Sequence, residues 1–430
     1  MQIVKKILGQ PLFKISSLNA VSVLVRIVGG LISSKVIAVF LGPGGIAIVG
    51  NLRNFLTSIE AFSTLGLQNG IVKYTAENEK DNDKLYKILG TVFCTLLCTV
   101  LLISFLLLVL SNYWSKWVFS EFGTYAWVFK VLAFTLPWYA GSLVFMAVLN
   151  GLGNYRQIIA LNVFGNILGV IFSTLLIWKF HLNGALLGLV LFQAIFFVFS
   201  FYILQKKFPK IVFFRVQYFD LKIFKGLFSY SMMSLVTAIL GPIIFMAIRK
   251  NLAKNFSPDE AGFWESMNRI SGFYLMFATT MLTMHFLPKL SKAISKQETK
   301  AVFKSYYKSI VPLFAAGLIV VYFLREFIIR LLFTREFMPM TDLFFWQLLG
   351  DFFKVCSLIL GYQFFAKKLT KVFIATEISS FIVLYISSTL LIKAYGSEGA
   401  VMAHAITYFI YTSVLGIYFK NIIFSSKHAV

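Results

Sequence analysis

The chain has 430 residues, 59% hydrophobic and 13% charged, with a formal net charge of +23 and a mean hydropathy of +0.81. So apolar a composition excludes an ordinary soluble domain, and the length excludes a single anchor, which leaves a polytopic membrane protein. The basic excess does not describe a nucleic-acid surface, because its cations lie mainly in short connections between apolar runs, where they act as topology signals.

Apolar runs near the length of a bilayer crossing place helices at 15–41, 46–70, 88–111, 128–150, 157–178, 184–204, 227–248, 263–288, 305–324, 343–365, 372–392 and 399–419. That is an all-α protein of about twelve transmembrane helices. The first run is too long for a signal-peptide core and carries no small-residue cleavage pattern, so it is expected to remain as helix 1. Gly42-Pro43-Gly44-Gly45 has the chemistry of a turn between helices 1 and 2. The mixed-charge run 77–87 reads as a solvated connection.

Basic residues concentrate in the connections that share a side with the N-terminus, most visibly 206–225 and 289–308. This asymmetry predicts that both termini are cytoplasmic. Cys94, Cys98 and Cys356 all fall within apolar runs, so neither a disulfide framework nor a metal site is expected. Phosphate-binding loops, G-x-S-x-G elbows and zinc-ligand spacings are missing, and the connections are too short for a catalytic domain. The expectation is a non-enzymatic protein without a cofactor.

The charged stretch 205–226 divides the chain into two six-helix lobes, 1–204 and 227–430. A repeat crosses this divide: Ser173-Thr174-Leu175-Leu176-Ile177 recurs 215 residues later as Ser388-Thr389-Leu390-Leu391-Ile392, and Gly184-Ala185 recurs as Gly399-Ala400. An offset of 216 instead overlays Arg53 on Arg269. Both halves begin on the same side of the membrane, so they form parallel repeats, an arrangement that places a substrate site between lobes.

Charges inside apolar runs are the candidate functional residues, because a bilayer centre tolerates them only beside something polar. Arg26, Lys35 and Arg53 are cations in helices 1 and 2, joined by Glu60; Arg53 and Glu60 share a helix face two turns apart. Gly29, Gly30, Ser33 and Ser34 around Arg26 permit close helix approach or a local bend. Lys35 either lines the same cavity or snorkels to the membrane surface. In the second half Glu265 and Arg269 are spaced for a direct pair. Gln347, Asp351 and Lys354 form a polar stripe in which Asp351 and Lys354 are expected to neutralise each other. Glu377 has no obvious local partner and is read either as a proton carrier or as a solvated group near the helix end. His285 and His404 read as satisfied core histidines. The preponderance of cations points to a polar cavity for an anionic guest, with Arg26, Lys35, Arg53, Arg269 and Lys354 as substrate-binding candidates. Glu60, Asp351 and Glu377 are candidates for ion coupling or for structural pairing.

Longer stretches carry a family resemblance. Leu41-Gly42-Pro43, Asn51-Leu52-Arg53, Asn69-Gly70-Ile71-Val72-Lys73-Tyr74, the run from Asp342 to Asp351, Lys354-Val355 and Gly361-Tyr362 closely resemble the Wzx-type flippases of O-antigen and enterobacterial common antigen export. Arg249-Lys250, Asp259-Glu260, Leu287-Pro288, Ala366-Lys367 and Glu377 extend the match over almost the whole chain. The position of Arg269 departs from it, because the family pattern there is not basic.

Similarity to that family implies the two-lobed fold of the MOP superfamily, shared with the drug-exporting MATE proteins, and alternating access around a cationic cavity. It also implies an undecaprenyl-pyrophosphate-linked oligosaccharide as substrate, carried to the periplasmic leaflet of the bacterial inner membrane. Membrane lipids, and a polymerase and chain-length regulator of the same pathway, are the implied partners. A MATE-like antiporter of cationic drugs is the alternative, but it calls for uncompensated acids where helix 1 carries cations. A membrane polymerase or ligase calls for a sizeable periplasmic loop that the chain does not supply.

Overall fold

The computed structural model describes residues 11–207, 218–229 and 231–424. Residues 208–217 of the expected linker therefore lie outside the described residues, as do the extreme termini to which the orientation expectation refers.

The described residues are helical, with no strand among them. In chain order the helices are α1 (Pro11–Thr64), α2 (Gln68–Glu77), α3 (Asn82–Val109), α4 (Ser111–Phe119), α5 (Ala126–Gly151), α6 (Tyr155–Lys207), α7 (Leu221–Ser229) and α8 (Met232–Asn255). There follow α9 (Pro258–Met281), α10 (Leu287–Lys292), α11 (Lys296–Phe323), α12 (Arg325–Leu332), α13 (Phe344–Ala366), α14 (Thr370–Tyr418) and α15 (Lys420–Ile423). Among the described residues 9 helical spans are long and apolar enough to cross a membrane. Three of these, in α1, α6 and α14, contain one non-helical residue each and are two helices joined across a kink. Twelve crossings result, as the apolar runs predict, and the chain is a polytopic all-α membrane protein. Its exposed side chains agree: Phe134, Trp178, Leu390 and Ile417 are more than half exposed, which only a hydrocarbon surround accommodates in such numbers.

The kinks are placed by the repeat. In α6 the break falls at His181 (φ 48, ψ −125) and in α14 at Gly396 (φ 56, ψ −134), 215 positions apart and in nearly the same conformation. Three residues after each break a glycine packs onto a carbonyl of the preceding helix, Gly184 on Leu176 and Gly399 on Leu391, again at the same offset. A Cβ at either glycine would collide with that backbone, so the sharp return of the chain depends on them.

The first break differs from expectation. Only Gly42 (φ 66, ψ −170) leaves helical geometry; Pro43, Gly44 and Gly45 already belong to the second part of α1. Pro43 is well placed there, since the first residue of a helix needs no amide donor and proline supplies the right φ. Pro258 opens α9 in the same way, behind the N-cap Ser257. Other ends extend past the apolar runs: α11 starts at Lys296 because Ser295 and Glu298 form a capping box. After α9 the chain passes through a π-turn at Leu282–Phe286 just before Pro288, which cannot donate to the turn behind it.

The chain divides into two compact units, one from the described part of Met1–Leu41 with Leu52–Ile239, the other from Gly42–Asn51 with Leu240–Val430. In the first, α2, α3, α5 and α6 enclose a core around Ile71, Val92, Phe93, Phe145 and Val148. Gly141 permits Phe197 to approach α5, and Gly29 brings α1 against Val170 of α6, the close approach expected around Arg26. In the second, α13 and α14 pack through Gly350, where a Cβ would meet His404 and Ala405. The second unit is also tied together by two carboxylates in the first turn of α9. Asp259 accepts from the Gly44 amide at 3.0 Å, and Glu260 accepts from the Ser397 amide at 3.0 Å. Each acid thus caps a helix that starts just after a positive-φ glycine.

His181 holds a conformation that suits glycine, and its repeat mate is a glycine. Replacing His181 by Gly is expected to relieve strain of about 1–3 kcal/mol and to raise the melting temperature in detergent. Gly396→Ala should lower it, because the new Cβ would also lie 3.2 Å from the Glu260 carboxylate. Equal melting of wild type and both variants would show that the kinks carry no strain.

Candidate functional site

The candidate charged residues of the membrane spans lie in three settings. The first unit holds Arg26, Lys35, Arg53 and Glu60, all on α1. Arg26 and Arg53 are exposed and Lys35 is half-buried. Glu60 takes partners from other helices. Its Oε2 accepts from the Tyr139 hydroxyl at 2.7 Å and its Oε1 from Gln68 Nε2 at 3.3 Å. Spacing along one helix cannot reveal this choice, because both donors come from other helices, α5 and α2.

The second setting is a buried arginine pair in the second unit. Arg269 Nε donates to Glu265 Oε1 at 3.3 Å, the i, i+4 pair expected from spacing. Arg249, from α8, shares the same carboxylate: its Nε lies 3.2 Å from Glu265 Oε2, and its Nη1 donates to Asn51 Oδ1 at 2.6 Å. Arg249 is only 1% exposed and its guanidinium also lies 5.9 Å from the Trp264 ring. Two cations therefore share one carboxylate, leaving a positive excess, and Arg269 Nη2 is buried without a hydrogen-bond partner. The cluster is close-packed, since a Cβ on Gly50 would run into Glu265. The sequence signal for Arg249 is weak, because it sits at a helix end where an arginine is unremarkable.

The proposed symmetry of Arg53 and Arg269 does not hold. Pro43 and Pro258 both open the second helix of their half, which sets the offset at 215 and places Asn54, not Arg53, opposite Arg269. The burial differs as well: Arg53 is exposed and Arg269 is buried.

The third setting surrounds Asp351 on α13, which is 0% exposed. Oδ2 accepts from Ser271 Oγ at 2.6 Å, from the Tyr274 hydroxyl and from Gln347 Nε2 at 3.2 Å. Oδ1 lies 3.0 Å from His404 Nε2 on α14. Lys354 is not among these partners. Its ammonium lies 4.9 Å from the Tyr408 ring centroid, and it acts on Asp351 through charge attraction, while the four close contacts of Asp351 come from other groups. Glu377 also has a partner, because the Tyr411 hydroxyl donates to its Oε1 at 2.7 Å. His404 is a satisfied core residue, as expected. His285 is not: it is exposed in the π-turn, with Lys289 Nζ at 2.8 Å. Among the described residues no group of acids, histidines and cysteines is arranged to hold a metal ion.

Removing the shared carboxylate should be far worse than removing one of its cations. Glu265→Gln leaves two buried arginines unmatched and is expected to cost about 3–5 kcal/mol, read as a lower melting temperature and lower yield. Adding Arg249→Met to Glu265→Gln should recover a large part of that loss. A double variant no more stable than Glu265→Gln alone would contradict the charge account.

Residues 13–294 match the family model described as polysaccharide biosynthesis protein. Over 408 residues the chain is 31% identical to the lipid III flippase of Escherichia coli K12, covering 94% of this chain and 97% of the relative. The lipid III flippase of Shigella flexneri matches equally, at 31% identity over the same shares. Solved structures show the same fold at low identity. An inward-facing multidrug resistance MATE family transporter of the MOP superfamily aligns with a TM-score of 0.77 at 14% identity, over 94% of this chain and 99% of its own. The lipid II flippase MurJ, in an inward closed conformation, aligns with a TM-score of 0.71 at 15% identity, over 95% and 89% of the two chains. By the family model and by its identity to these relatives, the chain belongs to the polysaccharide biosynthesis protein family.

Proposed function

We propose that this protein is a flippase that carries a polyprenyl-pyrophosphate-linked oligosaccharide from the cytoplasmic to the periplasmic leaflet of the bacterial inner membrane by alternating access. The observation that carries the reading is the 31% identity to lipid III flippases over 97% of their length. The sign of the charge within the spans supports it. Exposed Arg26 and Arg53 on an apolar helix are stable where they meet water or an anion, and their planar forks suit the oxygens of a diphosphate. Lys35, Lys354 and the open Nη2 of Arg269 extend the set of candidate contacts. The polyprenyl tail needs no enclosed site, because it remains soluble in the bilayer throughout.

No bond is made or broken in this cycle, so the protein acts as a transporter and not as an enzyme. The bias of basic connections supports a cytoplasmic position for both termini. The polymerase and chain-length regulator that would consume the product are functional partners in the same reading. A MATE-like exporter of cations is less well supported, since the MATE neighbours share only 14% identity and testify to fold alone.

Two measurements test this reading. Binding of undecaprenyl pyrophosphate to purified protein should weaken in Arg26→Ala and Arg53→Ala by about 1.5–3 kcal/mol for each charged hydrogen bond lost, with Arg53→Lys intermediate. Undiminished binding in both alanine variants would remove them from the site. For orientation, single cysteines at Ser120 and Lys296 in a cysteine-free background should react with an impermeant thiol reagent from the periplasm only at Ser120. Labelling of Lys296→Cys from that side would overturn the cytoplasmic placement.

A further inference from the structure

The first unit carries an apolar groove between α3, α5 and α6 that the charged settings do not touch. We propose that this groove is a docking site for an isoprenoid chain, and that it receives part of the polyprenyl tail of the substrate. Its chemistry rests on geometry; the assignment of its occupant to the substrate rests on the flippase reading.

The sequence of α5 makes the space. Pro137 lies inside that helix and has no amide to donate, and Gly141, one turn further, has no side chain. A Cβ at Gly141 would lie 2.8 Å from the Phe197 ring, so the glycine admits this ring of α6 beside α5. From α3, Phe93, Leu96 and Val100 supply the facing wall, and the enclosed volume is about 270 Å³. Ligand pockets usually run to about 300–1,000 Å³, so this one takes a short stretch of chain and leaves the rest in the bilayer.

Rings dominate the walls. The centroids of Trp138 and Phe197 are 5.2 Å apart, Phe197 stacks on Phe201 at 5.5 Å, and Phe145 lies 5.2 Å from Phe197 and 5.6 Å from Phe93. No lining residue is charged, and the indole of Trp138 is the one polar side-chain group among them. Sugars, nucleotides and the diphosphate itself would lose their hydrogen bonds to water without replacement, which excludes them as occupants.

Continuity with the lipid-facing surface decides what enters. Leu97, Trp138 and Leu101 at the rim are 44%, 52% and 57% exposed, whereas Phe93 and Phe145 on the floor are buried. All three helices are candidate membrane spans, so a chain slides in sideways without leaving hydrocarbon. Water needs polar partners that this lining does not offer.

An isoprenoid suits the groove better than a straight acyl chain. Its methyl branches place hydrogens against ring faces, which carry the negative end of the aromatic quadrupole. Position agrees with this choice. Phe93, Phe145 and Phe201 lie toward the start of α3, the end of α5 and the end of α6, which share the side that the basic connections assign to the cytoplasm, where the substrate is loaded. The same unit holds Arg26 and Arg53, so a lipid with a diphosphate head and an isoprenoid tail gains from two contacts on one body.

The test uses full-length protein in phosphatidylcholine nanodiscs and a diazirine-bearing decaprenol, an isoprenoid alcohol without phosphate or sugar. After irradiation, adducts mapped by mass spectrometry should concentrate on residues 93–101 and 137–145. Excess unlabelled decaprenol should compete them away, and an equal excess of a straight-chain alcohol should not. Leu97→Trp and Leu101→Trp each fill the mouth from an exposed position and should lower the labelling about tenfold, the loss expected when a few buried methylene groups are displaced. Misfolding of one variant leaves the other to decide. Leu390→Trp, on the lipid-facing surface of the second unit, should label like wild type. Adducts scattered evenly over the lipid-facing surface, equal competition by the straight-chain alcohol, or undiminished labelling of the filled variants would each overturn the proposal. In vesicles, leaflet exchange of a polyprenyl-pyrophosphate monosaccharide should slow in the filled variants, and an unchanged rate would remove the substrate tail from the groove. If wild type moves no such probe, the flippase reading fails, and the decaprenol labelling still decides whether the groove binds an isoprenoid.

Discussion

A bilayer interior supplies neither water nor counter-ions, so every charge in a spanning helix needs a partner of its own or access to water. This constraint accounts for the arrangement of the second unit more fully than any propensity does. Glu265 is held between Arg249 and Arg269, and Asp351 is enclosed by four contacts from α9, α13 and α14. Replacing such groups by apolar ones of the same shape is often tolerated, whereas removing one partner is not. In the first unit Glu60 is tied in the same way to Tyr139 and Gln68.

Duplication supplies the second organising element. The returns at His181 and Gly396 recur in position and in backbone geometry, and the glycines that follow meet equivalent carbonyls. The later copy has the better adapted residue at the turn. Gly396 also leaves the next helix start accessible to Glu260, as Gly42 leaves its own accessible to Asp259. Two adjacent acids in one helical turn thereby secure the starts of two other helices of the same unit.

The number of crossings was legible because twelve apolar runs of membrane length are a strong signal, and the repeat because Ser173–Ile177 and its copy lie in a helix where small polar residues stand out. Helix starts were less legible. Capping at Ser295 extends α11 well before its apolar part begins, and Pro43 turns a presumed loop into the first turn of a helix. Within the charged clusters, only contacts along a single helix were readable: Glu265 with Arg269 was found, whereas Glu60 with Tyr139, Asp351 with His404 and Glu377 with Tyr411 join residues distant in the chain. Asp351 and Lys354 attract each other as charges, but the close contacts of Asp351 come from Ser271, Tyr274, Gln347 and His404. Proximity on one helix competes with several donors from neighbouring helices, and the sequence alone does not reveal those donors.

The functional account depends on an anionic guest carried by cations in an apolar fold. It is tested most directly by offering purified wild-type protein in sealed vesicles two probes of opposite charge, a polyprenyl-pyrophosphate glycan labelled on its sugar and a cationic dye. Accessibility of the sugar to an impermeant quencher follows the first, and dye accumulation follows the second. The account predicts rapid movement of the glycan lipid between leaflets and no dye transport. Dye transport without glycan movement would contradict it.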